Sequence, residues 1–215
     1  MRQWGRSMKI AVVGSYGVGL TMRVPRMPDA GETLLGGEFS DGPGGKGSNQ
    51  AIGAARLGAD VSFLTAIGGD AFGRSGHELW AREGVDARKT VIVDDAATMV
   101  GFIVVEPNGE NRIVLAAGAL DHLDAAHVET FRPEIAAADV VVVSMEMPHV
   151  AVLAALQLGR EGGTLTLLNP APAQPLPDDA WNLIDVVTPN QTEVPILLGA
   201  TGTDEALAQA LRDRT

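Results

Sequence analysis

The chain has 215 residues, and its 27 acidic residues against 16 Lys and Arg give a formal net charge of −11 at pH 7. This excess of acidic residues argues against a nucleic-acid partner, because neutralising phosphates requires clustered Lys and Arg. Hydrophobic residues make up 46% of the chain, a share typical of one globular domain with a packed core. The sequence contains no cysteine, which excludes disulfides and thiolate metal sites, and we expect a cytoplasmic protein.

No stretch approaches the ~18–20 consecutive apolar residues that a membrane-spanning helix requires, so we expect no membrane association. Near the amino terminus, basic residues precede the apolar run Ile10–Val13. The resemblance to a signal peptide is superficial, because the run is short and no convincing cleavage site follows it. We predict a buried first strand at Lys9–Val13, with Met8 as a candidate natural start and residues 1–7 as an extension.

Along the rest of the chain, short β-branched runs alternate with longer stretches rich in Ala and Leu, which is typical of βαβ units in an α/β fold. Strands are predicted at Lys9–Val13, Asp60–Ala66, Val140–Met145, Thr164–Asn169 and Val186–Thr188. Helices are predicted at Gly47–Leu57, Ala71–Glu83, Asp124–Ala137 and Val150–Glu161. Together these elements predict a largely parallel sheet covered by helices.

Two segments break this alternation. Thr33–Phe39 is predicted to be a short extended stretch, and Thr98–Ala117 is predicted to be a hairpin because Asn108-Gly109 is a strong turn signal between two apolar runs. We interpret both segments as a β-rich accessory on the α/β body.

A glycine-rich segment, Gly42–Gln50, opens the first predicted helix and offers backbone N–H groups and a positive helix end to hydroxyls or phosphates. Lys46 and Asn49 add side-chain donors. The glycine spacing matches the dinucleotide pattern G-x-G-x-x-G, but the segment does not directly follow the first strand, which disfavours that function. Gly47 after Lys46 excludes a Walker A motif. A tight turn with a glycine N-cap remains an alternative.

Polar residues also follow two later strands, at the strand ends where open α/β sheets place ligand groups. Glu146 follows Val140–Met145, and its alternative role is an exposed loop carboxylate. Asn190 and Glu193 follow Val186–Thr188 and lie three residues apart. Their spacing favours a helix-capping pair, and a site for a metal–phosphate group is the functional alternative.

In combination, these motifs resemble ribokinase and its relatives, the PfkB-type carbohydrate kinases. The resemblance spans nearly the whole chain and depends on motifs that follow one another at Gly14-Ser15, Pro28–Thr33, Gly44–Ala51, Ala54–Ala59, Ile67–Gly73, Asn169–Ala173 and Thr188–Glu193. It implies a ribokinase-like three-layer α/β/α domain with a mostly parallel central sheet and a small β lid from about residues 20–43 and 98–117. It further implies ATP-dependent phosphorylation of a sugar or nucleoside, ATP and Mg²⁺ as cofactors, and a homodimer formed through the lid.

The same resemblance implies roles for individual residues. Gly44, Gly45, Lys46 and Asn49 would contact sugar hydroxyls, and Glu146 would complete that pocket. Asn190 and Glu193 would help to hold the triphosphate, with Glu193 reaching the magnesium ion through water.

The chain departs from the family at the start of the predicted lid. Ribokinases usually carry Asn-x-Asp after the first strand, and those side chains bind sugar hydroxyls, but Gly17 and Gly19 stand at these positions. A glycine cannot replace a carboxylate that accepts hydroxyl hydrogen bonds, so ribose itself is disfavoured. Tyr16 and Thr21 are candidates for alternative contacts, or the room left fits a bulkier substrate.

A second departure concerns catalysis. The family's Asp-Thr-x-Gly-Ala-Gly-Asp run, which holds the catalytic base and the anion hole, does not occur in the 215 residues. We therefore assign no catalytic residue, expect the carboxyl-terminal part of the family fold to be missing, and expect little or no turnover. Two alternatives remain: a non-catalytic sugar- or nucleoside-binding protein, and a dinucleotide enzyme supported only by the glycine pattern.

Overall fold

The computed structural model describes residues 7–214, so most of the predicted amino-terminal extension lies outside the described residues. Within them the strands are β1 Lys9–Val13, β2 Gly17–Arg23, β3 Phe39–Gly44, β4 Asp60–Leu64, β5 Ala66–Gly68, β6 Val85–Asp86, β7 Val91–Val93, β8 Met99–Val105, β9 Asn111–Ala116, β10 Val140–Ser144, β11 Leu165–Asn169 and β12 Val186–Val187. The α-helices are α1 Lys46–Arg56, α2 Ala71–Glu83, α3 Ala125–Glu129, α4 Arg132–Ala137, α5 His149–Gly162, α6 Glu193–Leu198 and α7 Asp204–Arg212. Short 3₁₀ helices are formed by Gly118–His122 and Asp178–Leu183.

The central sheet has six strands in the order β12-β11-β10-β1-β4-β6, and every pair of neighbours is parallel. Alternate residues of each strand point to opposite faces. Val13 and Val143 therefore pack on one face in a cluster with α3, α4 and α5, while Val12 and Phe63 pack on the other with α1 and α2. This three-layer α/β/α arrangement confirms the predicted fold class.

The strand order reverses at β1. From β1 the chain continues to β4 and β6 on one side of the sheet, and later returns to β10, β11 and β12 on the other side. The carboxyl ends of β1 and β10, which are neighbours in the sheet, therefore lie next to each other. In open α/β sheets, such a switch point forms the crevice in which ligands bind.

A second, smaller sheet has the order β3-β2-β8-β9, and we call it the small sheet. β2 is antiparallel to β3 and parallel to β8, and β8 is antiparallel to β9. The hairpin predicted at Thr98–Ala117 is confirmed as β8 and β9, with Gly109 in the turn at φ 86°. Within the described residues, β5 and β7 form a separate parallel pair.

The other strand predicted for this region was wrong. Thr33–Phe39 has no regular structure apart from its last residue, whereas β3 begins at Phe39 and extends through the glycine-rich segment to Gly44. β2 was not predicted as a strand. β3 tolerates Pro43 because it is the edge strand of the small sheet, where a missing N–H does not interrupt a ladder on both sides.

Most other boundaries agree with the predictions to within one or two residues, with two exceptions. The helix predicted at Asp124–Ala137 is divided into α3 and α4, because Pro133 occupies the first turn of α4 and buried Phe131 separates the two helices. The strand predicted at Asp60–Ala66 ends at Leu64, and Ala66 begins β5. Within residues 7–214, no helix is long and apolar enough to cross a membrane.

Candidate active site

The amino-terminal end of α1 lies against the end of β1, at the switch point of the central sheet. Gly45 is the N-cap of α1 and has φ 91°. A Cβ atom on Gly45 would lie 2.7 Å from the carbonyl oxygen of Ser15, and one on Gly47 would lie 2.6 Å from the backbone of Gly14. Both glycines are therefore needed for the close approach of helix and strand.

Because Gly45 has no side chain, other residues satisfy the first N–H groups of α1. The carbonyl oxygen of Ser15 accepts a hydrogen bond from Ser48 N at 2.9 Å, and Ser15 Oγ accepts one from Gly47 N at 3.4 Å. Glu146 Oε2 accepts a hydrogen bond from Lys46 N at 2.8 Å. Residues that follow β1 and β10 thus cap the helix in place of its own N-cap residue.

Glu146 also binds the side chains of Lys46 and Ser15, and we call these three residues the cluster. Its Oε1 atom accepts a hydrogen bond from Lys46 Nζ at 2.9 Å, and its Oε2 atom accepts one from Ser15 Oγ. The side chain of Glu146 is only 10% exposed, whereas that of Lys46 is 39% exposed. The carboxylate therefore neutralises both an ammonium group and the positive end of a helix.

This cluster can recognise hydroxyl groups. A hydroxyl both donates and accepts hydrogen bonds, and here it would meet the ammonium donor of Lys46 and the carboxylate acceptor of Glu146. Asn49 lies three residues after Lys46 on α1, so it is on the same side of the helix. Its exposed amide makes no hydrogen bond with any residue in the described part of the chain, which leaves it available to a ligand.

Two serines, Ser15 in the cluster and Ser144 close to it, were not assigned a role from the sequence. Ser15 is fully buried and contacts both α1 and Glu146. Ser144, the last residue of β10, is also fully buried, and its Oγ has no hydrogen-bond partner within residues 7–214. It lies 2.6 Å from where a Cβ on Gly14 would be. Their position could have identified them as candidate site residues, because both serines lie at the carboxyl ends of strands that adjoin the switch point.

The glycine-rich segment is not a single loop. Gly42 and Gly44 lie in β3, where Gly44 is paired with Gly17 of β2, whereas Gly45 and Gly47 belong to the start of α1. β1 is followed by β2 and not by a helix. The match to G-x-G-x-x-G is therefore spread over a strand and a helix, without the strand–turn–helix order of a dinucleotide fingerprint.

Tyr16 is not a substrate contact, contrary to the sequence-based suggestion. It is fully buried, its ring lies edge-on to Trp80 with centroids 4.9 Å apart, and its hydroxyl donates to the carbonyl oxygen of Phe72 at 3.1 Å. Burial raises the pKa of the Tyr16 phenol. Tyr16 therefore belongs to the core between β1 and α2. Thr21, by contrast, is partly exposed on β2, on the same face as Gly17 and Gly19.

Asp70 joins the body to the small sheet. As the N-cap of α2, it accepts hydrogen bonds from Gly73 N at 2.8 Å, Thr98 N at 2.8 Å and Thr98 Oγ1 at 2.7 Å. Burial alone would raise the pKa of Asp70, but these hydrogen bonds together hold it below its ordinary value. Because Thr98 immediately precedes β8, this carboxylate fixes where the small sheet leaves the body.

Asn190 and Glu193 form the predicted capping pair. Asn190 Oδ1 accepts a hydrogen bond from Glu193 N at 3.0 Å, and Glu193 Oε2 accepts one from Asn190 N at 2.7 Å. The pair follows β12, so it lies at the same carboxyl edge of the central sheet as Ser15 and Glu146. Oε1 of Glu193 has no hydrogen-bond partner among the described residues.

Comparisons with known proteins agree with this geometry. The family model described as "pfkB family carbohydrate kinase" matches residues 7–214. The chain is 41% identical over 199 residues to the ribokinase of Haemophilus influenzae and 39% identical over 197 residues to that of Schizosaccharomyces pombe. These alignments cover 93% and 89% of this chain, and the chain spans only 65% and 62% of the length of those relatives.

Among solved structures, the Arabidopsis thaliana ribokinase complexed with ribose and ATP superimposes with a TM-score of 0.88 at 25% identity. The superposition covers 97% of this chain and 69% of that one. Fold, motif order and sequence similarity agree over almost the whole of the described chain, and the chain belongs to the pfkB family of carbohydrate kinases.

Proposed function

We propose that the chain provides the acceptor site and part of the nucleotide site of an ATP-dependent kinase that phosphorylates a hydroxyl of a sugar or nucleoside. The observation that carries this proposal is the cluster of Lys46, Glu146 and Ser15 in the crevice between β1 and β10. Its mixture of donors and acceptors suits hydroxyl groups, and family membership supplies the reaction class.

In this proposal the acceptor binds where the backbone of Gly44 and Gly45 approaches the cluster. Lys46 Nζ and the Asn49 amide donate hydrogen bonds to hydroxyl oxygens, and Glu146 accepts a hydrogen bond from a hydroxyl. The side chain of Lys46 is partly exposed, so it can exchange a contact with Glu146 for one with the acceptor. Ser15 is a positioning residue that holds the Glu146 carboxylate at the end of α1.

Asn190 and Glu193 are proposed to bind the nucleotide. Magnesium prefers oxygen ligands and usually keeps several water molecules when it is bound together with phosphates. Oε1 of Glu193, which has no partner among the described residues, fits such a water-mediated contact. Within residues 7–214, no group of three or more His, Cys or acidic side chains is placed to bind a metal ion directly. Bound Mg²⁺ would neutralise charge on the transferred phosphoryl group. Within the chain, the capping bonds fix the orientation of Glu193.

The small sheet is proposed to act as a lid over the acceptor and as a dimer surface. Its outer strand, β9, is exposed along its length, and Ile113, Val114 and Leu115 are exposed by 52%, 72% and 54%. A run of exposed apolar side chains on an edge strand is a surface that association would bury. The proposed partner is a second copy of the chain.

Turnover is expected to be absent or low for the 215 residues. Phosphoryl transfer depends on positioning and on electrostatic stabilisation of the transferred group, and the run that provides the base and anion hole in the family does not occur in this sequence. The chain would then bind a sugar without transferring a phosphoryl group to it, which is also what a non-catalytic binding protein would do.

Two measurements on the purified chain test the proposal. Calorimetric titration with pentoses, hexoses and nucleosides, with and without Mg-ATP, is expected to show acceptor binding that nucleotide strengthens. Acceptor binding that is indifferent to nucleotide would support the non-catalytic alternative, and no acceptor binding at all would refute the proposed site. A coupled ADP-release assay is expected to show little turnover, and strong magnesium-dependent turnover would refute the assignment of the base to the missing run.

A further inference from the structure

The turn between β8 and β9 is an exposed loop at the tip of the small sheet. Gly109 N donates a hydrogen bond to the carbonyl oxygen of Glu106 at 2.9 Å, and Glu106 N donates one to the carbonyl oxygen of Glu110 at 2.9 Å. Pro107, Asn108, Gly109 and Glu110 are all exposed. The turn can therefore open and close without exposing any of the buried core.

The side chain of Asn108 is folded back over the backbone that follows it. Its Oδ1 atom accepts a hydrogen bond from Glu110 N at 3.0 Å. This bond directs the carboxamide towards the peptide nitrogen of Gly109, the residue between the two. A donor on a carbonyl oxygen also stabilises the negative charge that develops there when a nucleophile attacks the carbonyl carbon. The Cγ atom of Asn108 is therefore both positioned and activated for attack by the Gly109 nitrogen.

Gly109 provides a nitrogen that no side chain shields. Its φ of 86° is left-handed, and a Cβ atom on it would contact nothing within 4 Å. Because glycine has few steric restrictions, its backbone can rotate to bring the nitrogen against Cγ of Asn108. The hydrogen bond from Gly109 N to Glu106 must break first, and in an exposed turn water replaces it.

We propose that Asn108 is a modification site, at which the side-chain amide is lost by spontaneous deamidation. Gly109 N loses its proton and forms a bond to Cγ of Asn108, while the bond from Cγ to Nδ2 breaks and Nδ2 leaves as ammonia with that proton. The product is a cyclic succinimide. Water then opens the ring at either carbonyl carbon and gives aspartate or isoaspartate, whose backbone runs through Cγ. Water is the only co-reactant, so the step needs no kinase activity and goes beyond the proposed function.

No other asparagine in the sequence combines these features. Each of the others precedes a residue that has a side chain, which hinders attack by the nitrogen of that residue. Asn169 precedes Pro170, whose nitrogen carries no proton to lose. Asn111 is the most useful comparison, because it is also exposed and lies on the same hairpin, but it precedes Arg112. The reaction is therefore expected at Asn108 and not at its neighbour.

Deamidation changes the tip of the small sheet in two ways. It adds a negative charge between Glu106 and Glu110, and like charges that face each other across strands are destabilising. The Arg112 guanidinium, which pairs with Glu106 at 3.0 Å, neutralises only part of this charge. Isoaspartate also lengthens the backbone of a turn whose geometry depends on the left-handed glycine that follows. Both changes loosen the pairing of β9 with β8.

Incubation of the purified chain at physiological temperature, at neutral and at mildly alkaline pH, tests the inference by peptide mass mapping and by ammonia release. We expect Asn108 to deamidate roughly tenfold faster than Asn111, because Gly109 presents no side chain to the reaction. The rate should rise with pH, since the attacking nitrogen must lose its proton. Asn108→Ser is expected to abolish most of the ammonia release, and Asn111→Ser, the matched control, to leave it unchanged.

The same chain unfolded in urea is the reference for the effect of the structure. If Asn108 reacts more than about tenfold more slowly in the folded chain than in urea, the turn protects the residue and the inference is wrong. Equal reaction at Asn108 and Asn111 would also refute it.

Hydrogen exchange measures the consequence for the sheet. In the deamidated fraction, which ion exchange separates by its added charge, we expect the amides of β9 to exchange roughly threefold faster or more, with those of α2 unchanged. Asn108→Asp adds the charge without lengthening the backbone, so it shows how much of the effect the charge causes. Unchanged exchange in β9 would refute the proposed loosening of the hairpin.

Discussion

Glu146→Gln is the most informative single change, because it removes one charge from the cluster and keeps the shape of the side chain. Glu146 neutralises the amino-terminal end of α1, an interaction worth ~0.3–1 kcal/mol. It also pairs with Lys46, and because the Lys46 side chain is 39% exposed, that pair contributes about 0.5–1 kcal/mol after screening by water. We expect the free energy of unfolding to fall by about 1–2 kcal/mol.

The expected effect on ligand binding is larger. In the proposed site Glu146 accepts a hydrogen bond from an acceptor hydroxyl, and a hydrogen bond to a charged group contributes about 1.5–3 kcal/mol. Loss of that contribution would weaken binding by roughly 10- to 150-fold. Urea unfolding measures the first quantity, and calorimetric titration with whichever sugar or nucleoside binds the unmodified chain measures the second.

Glu83→Gln is the matched control. The Glu83 side chain is 15% exposed, close to the 10% of Glu146, and it accepts two hydrogen bonds of 2.7 Å from Arg56, away from the crevice. We expect this control to lower stability less than Glu146→Gln does and to leave ligand binding unchanged. If Glu146→Gln binds the ligand within twofold of the unmodified chain, Glu146 is only a helix cap and its role in acceptor binding is refuted.

Three further changes test other parts of the structure. Asp70→Asn removes the carboxylate that caps α2 and binds Thr98, and we expect a loss of about 1 kcal/mol in urea unfolding at pH 7. Burial raises the folded-state pKa of Asp70, but hydrogen bonding outweighs burial and lowers it. The contribution of the ionised Asp70 to stability is therefore complete above about pH 3.9 and disappears as the pH falls through the folded-state pKa. Gly45→Ala forces a side chain into φ 91° and against Ser15, and we expect thermal unfolding to show a loss of at least about 1–3 kcal/mol. Val114→Lys places a charge on the exposed outer strand β9, and light scattering is expected to show a monomer in place of the proposed dimer.

Each of these three predictions has a control or an outcome that would contradict it. Equal losses for Asp70→Asn at pH 7 and at pH 3 would show that the charge of Asp70 contributes nothing. Gly84→Ala controls for Gly45→Ala, because Gly84 also has a positive φ but its Cβ would contact nothing within 4 Å, so a similar loss in both would exclude the clash with Ser15. Val150→Lys changes an equally apolar exposed residue on α5 and should not affect the oligomeric state.

The central sheet and its helices could be predicted because their sequences combine periodicity with clear ends. After Lys9, β1 is a continuous apolar run, as expected for a strand buried on both faces. α2 begins after the capping residue Asp70 and ends at Gly84, which has the left-handed conformation. The hairpin of β8 and β9 could be predicted because Asn108-Gly109 is a turn signal, and Gly109 adopts the positive φ that the turn requires.

The small sheet was harder to predict because its pairing is not local. β2 and β3 are rich in glycine, and strand propensity disfavours glycine and proline, so both sequences resemble loops. Only their pairing with β8 and with each other makes them strands. The contacts of Tyr16 are not local either. A tyrosine next to a predicted site is an obvious candidate for contact with the substrate, and only the structure shows that its ring packs against Trp80 and its hydroxyl binds the carbonyl oxygen of Phe72.

The hydrogen bonds at the start of α1 decide which kind of ligand the crevice can bind. A free helix end binds phosphate through its first N–H groups, but those of Lys46, Gly47 and Ser48 are all directed at Glu146 or Ser15. A phosphate would also meet the negative charge of Glu146. The groups that remain available are side chains, namely the Lys46 ammonium, the Asn49 amide and a carboxylate oxygen that can exchange partners. Such a set suits a neutral polyol ring better than an anion, which supports the proposal that the acceptor binds at α1 and the phosphates bind at the loop after β12.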